Sequence, residues 1–153
     1  MRPMDYNVRI EDRAAVAIAS VRKEIHQSEI GNWVGEALAA IMPAVGAAGL
    51  QPIGPMYCRY HTWAEDRTDC EVGFPISGSA PAGLADSEIP AGNSAVTLHV
   101  GPYQEIPAAY EAITTWLENA GKEPGDGPYE VYLNDPNTTP PEQLETEVVW
   151  PLT

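Results

Sequence analysis

Beyond Arg67 the sequence is nearly without positive charge. The 153 residues carry a net charge of -14, and from residue 68 onward Lys122 is the one basic side chain among many acids, which leaves that part at -13. Such a field repels a phosphate backbone and an anionic membrane surface, so neither nucleic acid nor membrane is expected as a partner, and cations are favoured. Solubility alone is the plainer account of the same acidity. Long apolar runs are missing too: no stretch approaches the roughly 18 residues a membrane helix needs. Met1-Arg2-Pro3-Met4-Asp5 is followed by no hydrophobic region. No signal peptide is expected, and the reading places the protein in the cytoplasm.

Cysteine is scarce. Cys58 and Cys70 are too few for a disulfide framework and read as reduced, small, buried side chains. Together with His61 they invite a zinc reading, but a spacing of three along a strand sends Cys58 and His61 to opposite faces. No metal site and no cofactor is expected. There is no Gly-x-Ser-x-Gly elbow, and the glycine-rich run Gly121 to Gly127 follows a helix and lacks a Gly-Lys-Ser/Thr ending, so it is no phosphate loop. A chain of this length fits one domain, residues 1–153, able to bury roughly two thirds of its unfolded surface.

What is present is a repeating order of elements. Tyr6 to Ile10 and Ala14 to Val21 read as strands joined through the polar Glu11-Asp12-Arg13, forming a hairpin. Ile30, Val34, Leu38, Ile41 and Val45 recur at helical spacing, with Ser28 or Asn32 as cap and Gly49 as stop. Pro43 inside that helix predicts a kink or an end near Met42. Met56 to Trp63 and Asp69 to Ile76 form a second hairpin, and the Ser, Gly, Ala and Pro of residues 77–83 divide the halves.

Strands at Leu84 to Ile89 and Ser94 to Val100 follow, then a helix marked by Ile106, Tyr110, Ile113, Leu117 and Ala120 and ended by Gly121. Tyr129 to Leu133 and Leu144 to Trp150 complete the set. A shift of 72 residues superposes Ile41 on Ile113, Ala48-Gly49 on Ala120-Gly121, Pro52 on Pro124, Tyr57 on Tyr129, and Tyr60 on Tyr132. The same shift sets Cys58 on Glu130. The predicted fold is α+β: duplicated strand-helix-strand-strand modules, about 6–76 and 84–151, with an antiparallel sheet, two main helices and a groove along the pseudo-twofold axis.

Within this frame Glu130 is the anomaly. Period-two alternation puts Tyr129, Val131 and Leu133 on one face and Glu130 with Tyr132 on the other. A solvated strand glutamate is the commoner outcome. In a concave apolar site, however, a carboxylate among rings suits a bulky organic cation, neutralising its charge while the rings supply area and cation-π attraction. Tyr60 and Tyr132 then face each other across the groove, which turns Arg59 and His61 toward the helices.

Ile89-Pro90-Ala91-Gly92, His99-Val100-Gly101-Pro102-Tyr103, Ala109-Tyr110, Trp116-Leu117, Gly121 and Tyr129-Glu130-Val131-Tyr132 with Asp135-Pro136 resemble the GyrI-like small-molecule-binding domain, the effector-binding domain of AraC-type and MerR-type multidrug regulators. The resemblance spans nearly the whole chain and is strongest from Ile89 to Trp150. It implies the duplicated fold (the SHS2 module), a central pocket for lipophilic, often cationic compounds, a glutamate matching Glu130, and aromatic walls. With no helix-turn-helix ahead of Tyr6, the chain resembles stand-alone members, some known as gyrase inhibitors and others as hydrolases of cyclopropane-bearing toxins.

The expected ligand-binding residues are Glu130, Tyr132, Tyr60, Trp33, Trp63, Tyr103 and His99; a structural role remains the commoner fate of His99, and core packing that of Trp116. Three functional classes stay open. The first is a module that binds or sequesters small hydrophobic or cationic molecules. In the second, a hydrolase, Glu130 acts as acid or base and Tyr132 or Tyr60 polarises an electrophile. The third is a factor that meets a basic protein through its acidic second half.

Overall fold

In the computed structural model residues 6–153 are described; Met1–Asp5, read above as no signal peptide, lie outside the described residues. The strands are β1 (Arg9–Arg13), β2 (Val16–His26), β3 (Met56–Trp63), β4 (Arg67–Phe74), β5 (Ala85–Ile89), β6 (Gly92–Val100), β7 (Tyr129–Tyr132) and β8 (Glu145–Pro151), and the main helices are α1 (Ile30–Ala47) and α2 (Ile106–Ala120). Chain order is thus two strands, helix, two strands, twice over. The fold is α+β with antiparallel strands and two main helices.

The chain forms two compact units, one built from the described residues up to Arg13 with Gly92–Thr153, the other from Ala14–Ala91. In the first the strand order is β1-β6-β8-β7, and in the second β5-β2-β4-β3. Each unit therefore repeats one plan: an edge strand, the strand before the helix, the last strand, and the strand after the helix.

The edge strands differ from the sequence expectation. β1 pairs with β6 rather than β2, and β2 pairs with β4 and β5. A two-residue link between antiparallel strands favours turns with positive φ, which Asn and Gly supply. Ala14-Ala15 offers neither, and among the described residues no non-glycine has a positive φ. Glu11-Asp12-Arg13, read as a turn, instead continues β1, where Arg13 bonds Glu147 of β8 at 2.6 Å and Glu11 at 2.9 Å.

In the first unit α2 packs on β6 and β8 through Ile106, Ala109, Ile113 and Leu117 against Ala95 and Val148. Burying a side chain such as Ile113 or Leu117 contributes roughly 1.5–3 kcal/mol. Gly121, at φ 67°, ends the helix in the left-handed conformation that glycine adopts without a Cβ penalty. In the second unit α1 packs on β2 and β4. Its buried stripe is Trp33, Ala37, Ile41 and Val45, one position round from the stripe predicted at Val34 and Leu38. Neither Ser28 nor Asn32 caps it; His26 instead accepts from the Ser28 amide at the preceding turn.

Pro43 does not end α1, which runs on to Ala47. The proline removes one amide donor, but the continued burial of Ile41 and Val45 holds the turns on either side. In β4, Gly73 is required by close approach: a Cβ there would lie 2.5 Å from the Ala19 carbonyl oxygen.

Candidate functional site

The first unit brings Glu130 among aromatic side chains. Its strand neighbour across the ladder is Val148, and that of Tyr132 is Thr146. Val148 belongs to the core under α2, so Glu130 and Tyr132 occupy the helix-covered face while Tyr129 and Val131 occupy the other. This corrects the expectation that the helices lie on the side away from Glu130. The alternation could not distinguish the two faces, because Tyr129 and Val131 are buried as well.

Glu130 is 4 % exposed. The Tyr110 hydroxyl, from α2, donates to one carboxylate oxygen at 2.8 Å, and the Tyr132 hydroxyl donates to the other at 2.5 Å. The ring of Tyr103 meets Tyr132 edge to face at 5.6 Å between centroids, and Tyr110 meets Trp150 likewise at 5.8 Å. Trp150 is held in turn by its indole N–H on the Gly125 carbonyl at 2.9 Å. Burial raises the Tyr103 phenol above its ordinary pKa, and the negative charges of Asp135 and Glu130 raise it further. Tyr103 therefore faces negative potential. A buried carboxylate that accepts two tyrosine hydroxyls and is edged by rings has the chemistry that suits an organic cation, negative charge beside aromatic faces.

Among the sequence-predicted residues, Glu130, Tyr132 and Tyr103 thus come together. His99 lies on β6, two strands from Glu130 with β8 between them, across the ladder from Thr146, and is 1 % exposed. Its Nδ1 accepts from or donates to the Tyr6 hydroxyl at 2.8 Å, and its Nε2 lies 3.0 Å from the Pro102 carbonyl. That carbonyl can only accept, so Nε2 carries the proton and Nδ1 accepts from Tyr6. His99 ties the N-terminal segment to the loop before α2. Tyr110 and Trp150 are the residues that sequence reasoning missed. Tyr110 was placed in an apolar stripe, yet a half-buried tyrosine hydroxyl needs a partner, and that requirement was the available signal.

Tyr60, Trp33 and Trp63 belong to the second unit. Trp33 is buried on α1, while Trp63 is 61 % exposed at the end of β3 with its ring edge to face on Tyr60 at 5.5 Å. This unit has a buried carboxylate of its own, Glu71, 3 % exposed. Ser20 donates to it at 2.6 Å, and His61 Nε2 lies 2.7 Å from its other oxygen. Burial alone would raise the Glu71 carboxyl, but donation from Ser20, Ser87 and His61, with the charge interaction of His61, holds it below the usual range. The serine bonds the carboxylate and not the histidine, so the group lacks the order of a nucleophilic triad.

Cys58 and Cys70 are fully buried with their sulfurs 3.4 Å apart. By register they face away from Arg59 and Glu71. Among the described residues no group of three or more His, Cys, Asp or Glu side chains is arranged to hold a metal. No helix among them is long and apolar enough to cross a membrane. An open groove of about 470 Å³ runs along α2, lined by Tyr6, Val8, Glu111, Trp116 and their neighbours, and none of the sequence-predicted residues lines it.

Solved structures share the fold. EcmrR in its complex with DNA superposes with a TM-score of 0.80 at 22% identity over 96% of this chain; the chain spans 57% of that one. The EcmrR C-terminal domain alone gives 0.80 at 20% identity, covering 98% of this chain and 99% of the domain. SAV2435 bound to tetraphenylphosphonium gives 0.71 at 12% identity over 98% and 94%. A hydrolase encoded by lin2189 from Listeria innocua gives 0.63 at 12% identity over 95% and 91%. No curated protein sequence matches the chain. The model of the GyrI-like small-molecule-binding domain matches residues 6–153, so the chain belongs to the GyrI-like family.

Proposed function

We propose that this GyrI-like domain binds lipophilic organic cations, or amphipathic molecules with a cationic end, through Glu130 and the rings of Tyr103, Tyr110, Tyr132 and Trp150. The observation that carries the reading is a carboxylate 4 % exposed whose oxygens accept two tyrosine hydroxyls. A carboxylate buried this deeply among rings favours a positive charge beside it, which a cationic ligand would supply. That SAV2435, of the same fold, binds tetraphenylphosphonium supports the ligand class. The acidity of residues 68–153 favours the encounter at low salt. Tyr60, Trp33, Trp63 and His99 stay in the proposal as expected contributors, with Glu130 the residue on which affinity depends.

The test is calorimetric titration with tetraphenylphosphonium. The wild type is expected to bind, and Glu130→Gln is expected to bind at least tenfold more weakly; equal affinity would overturn the reading. A hydrolase is the second reading, supported by the placement of Tyr132 on Glu130 and by the fold shared with the Listeria innocua hydrolase. It predicts turnover of a cyclopropane-bearing electrophile that Glu130→Gln abolishes, and binding without product would exclude it.

A further inference from the structure

The groove along α2 lies within the first unit, and none of the residues gathered around Glu130 lines it. At about 470 Å³ it is as large as a ligand pocket, yet it is open along its length. Its floor is apolar: Tyr6, Val8 and Trp116 pack, partly buried, against the core under α2. The segment before β1 that walls it is pinned, since Tyr6 bonds His99 at 2.8 Å and Thr97 donates to the Asn7 carbonyl at 3.1 Å. On α2 itself Glu111, Thr115 and Asn119 recur every fourth residue and form a polar row. All three are exposed, and their side chains have no hydrogen bond or ion pair with any described residue. Ala108 and Ala112 complete the lining, and their short side chains leave the hollow unfilled.

We propose that this groove is a docking site for an extended basic peptide segment that carries a lysine or arginine two positions from a large apolar residue. Charge selects the sign. α2 carries Glu111 and Glu118 and no basic side chain, while Arg9 and Arg13 of the same unit are paired with Glu11 and Glu147. A second copy of this chain, itself at -14, is repelled. Openness selects the class of occupant: small ligands bury roughly 70–90% of their surface in their sites, which a groove open along its length does not allow. The conformation follows from the polar row. A helix keeps its backbone bonds to itself, whereas an extended chain presents N–H and C=O groups to Thr115 and Asn119. From Ala108 to Asn119 α2 rises about 16 Å, the length of about five extended residues. Glu111 and Trp116 are about 7.5 Å apart along the axis, close to the roughly 6.6 Å between side chains on one face of an extended chain. The basic side chain thus meets Glu111 while the apolar one covers Trp116, Tyr6 and Val8.

The experiment is an amide NMR titration of the full chain with four acetylated and amidated pentapeptides, each taken to roughly millimolar concentration. They are Ser-Lys-Ala-Leu-Ser, the reverse order Ser-Leu-Ala-Lys-Ser, the charge-reversed Ser-Glu-Ala-Leu-Ser, and Ser-Lys-Ala-Ser-Ser, which lacks the apolar side chain. At least one order of lysine and leucine is expected to move the amides of Tyr6, Val8 and residues 108–119. The glutamate peptide and the peptide without leucine are expected to bind more weakly. Glu111→Lys, at an exposed position, should weaken the responding peptide about fivefold, the upper end for a surface ion pair. Ala112→Leu fills the hollow and should weaken it as well; if that variant fails to fold, Glu111→Lys decides alone. The proposal is overturned if neither order moves the groove amides, if the shifts fall on other residues, if the glutamate peptide binds as well as the lysine peptides, or if Glu111→Lys binds as the wild type does.

Discussion

At the scale of single residues, two buried carboxylates are held in different ways. Glu130 accepts the hydroxyls of Tyr110 and Tyr132, and Glu71 accepts that of Ser20 and lies against His61. The difference has a consequence in acid. Because the folded-state pKa of Glu71 is lowered, the stability it supplies is present above the unfolded carboxylate value, about 4.3, and is lost as pH falls through the lower folded value. Urea unfolding between pH 7 and pH 3 should show wild-type stability falling below about pH 4.3, with a flatter profile for Glu71→Gln. At pH 7 that variant should be less stable by roughly 2 kcal/mol, the worth of a hydrogen bond to a charged group. A pH profile unchanged by the substitution would contradict this. Tyr110→Phe leaves one Glu130 oxygen without its hydroxyl donor and should likewise cost roughly 2 kcal/mol.

At the scale of elements, α1 and β4 carry opposite exceptions to local preference. Pro43 sits exposed inside a helix that persists around it. Replacing it with alanine restores an amide donor and should raise stability by roughly 1–3 kcal/mol, measured as a rise in melting temperature. A loss of stability would mean the proline shapes α1 usefully. Gly73 is the reverse. With a Cβ 2.5 Å from the Ala19 carbonyl oxygen, Gly73→Ala must push β2 from β4 and should cost roughly 1–3 kcal/mol.

Most elements were legible in the sequence because hydrophobic period and Gly/Pro punctuation agree there, as at Ile106 to Gly121 and Met56 to Phe74. What was not legible is partner choice. Nothing local in Glu11-Asp12-Arg13 says that β1 will pair with β6, since the deciding contacts, Arg13 with Glu147 among them, are distant in the chain. Helix side was hidden for a related reason: strands buried on both faces, such as β7, do not record which face the helix covers. Glu130 itself stood out as a charge in an aromatic strand, but Tyr110 and Trp150 reach it or its neighbours from other elements.

At the scale of the whole molecule, duplication and charge are the features with functional weight. Two units share one strand order, and each takes its edge strand from the segment that begins the other half of the sequence. Within that plan the equivalent positions have diverged: Glu130 matches Cys58, so one unit carries a buried carboxylate where the other carries a buried thiol. The second unit's buried carboxylate, Glu71, stands instead on β4. The excess of acid over residues 68–153 should make the association rate of a cationic ligand fall with rising ionic strength, whereas a neutral one should be indifferent to salt.

The most direct measurement is a parallel titration of wild type and Glu130→Gln with tetraphenylphosphonium and with uncharged triphenylphosphine oxide. A carboxylate that binds by charge predicts a loss of at least tenfold for the cation in Glu130→Gln and little change for the neutral compound. Cation affinity that is the same in both proteins would contradict it.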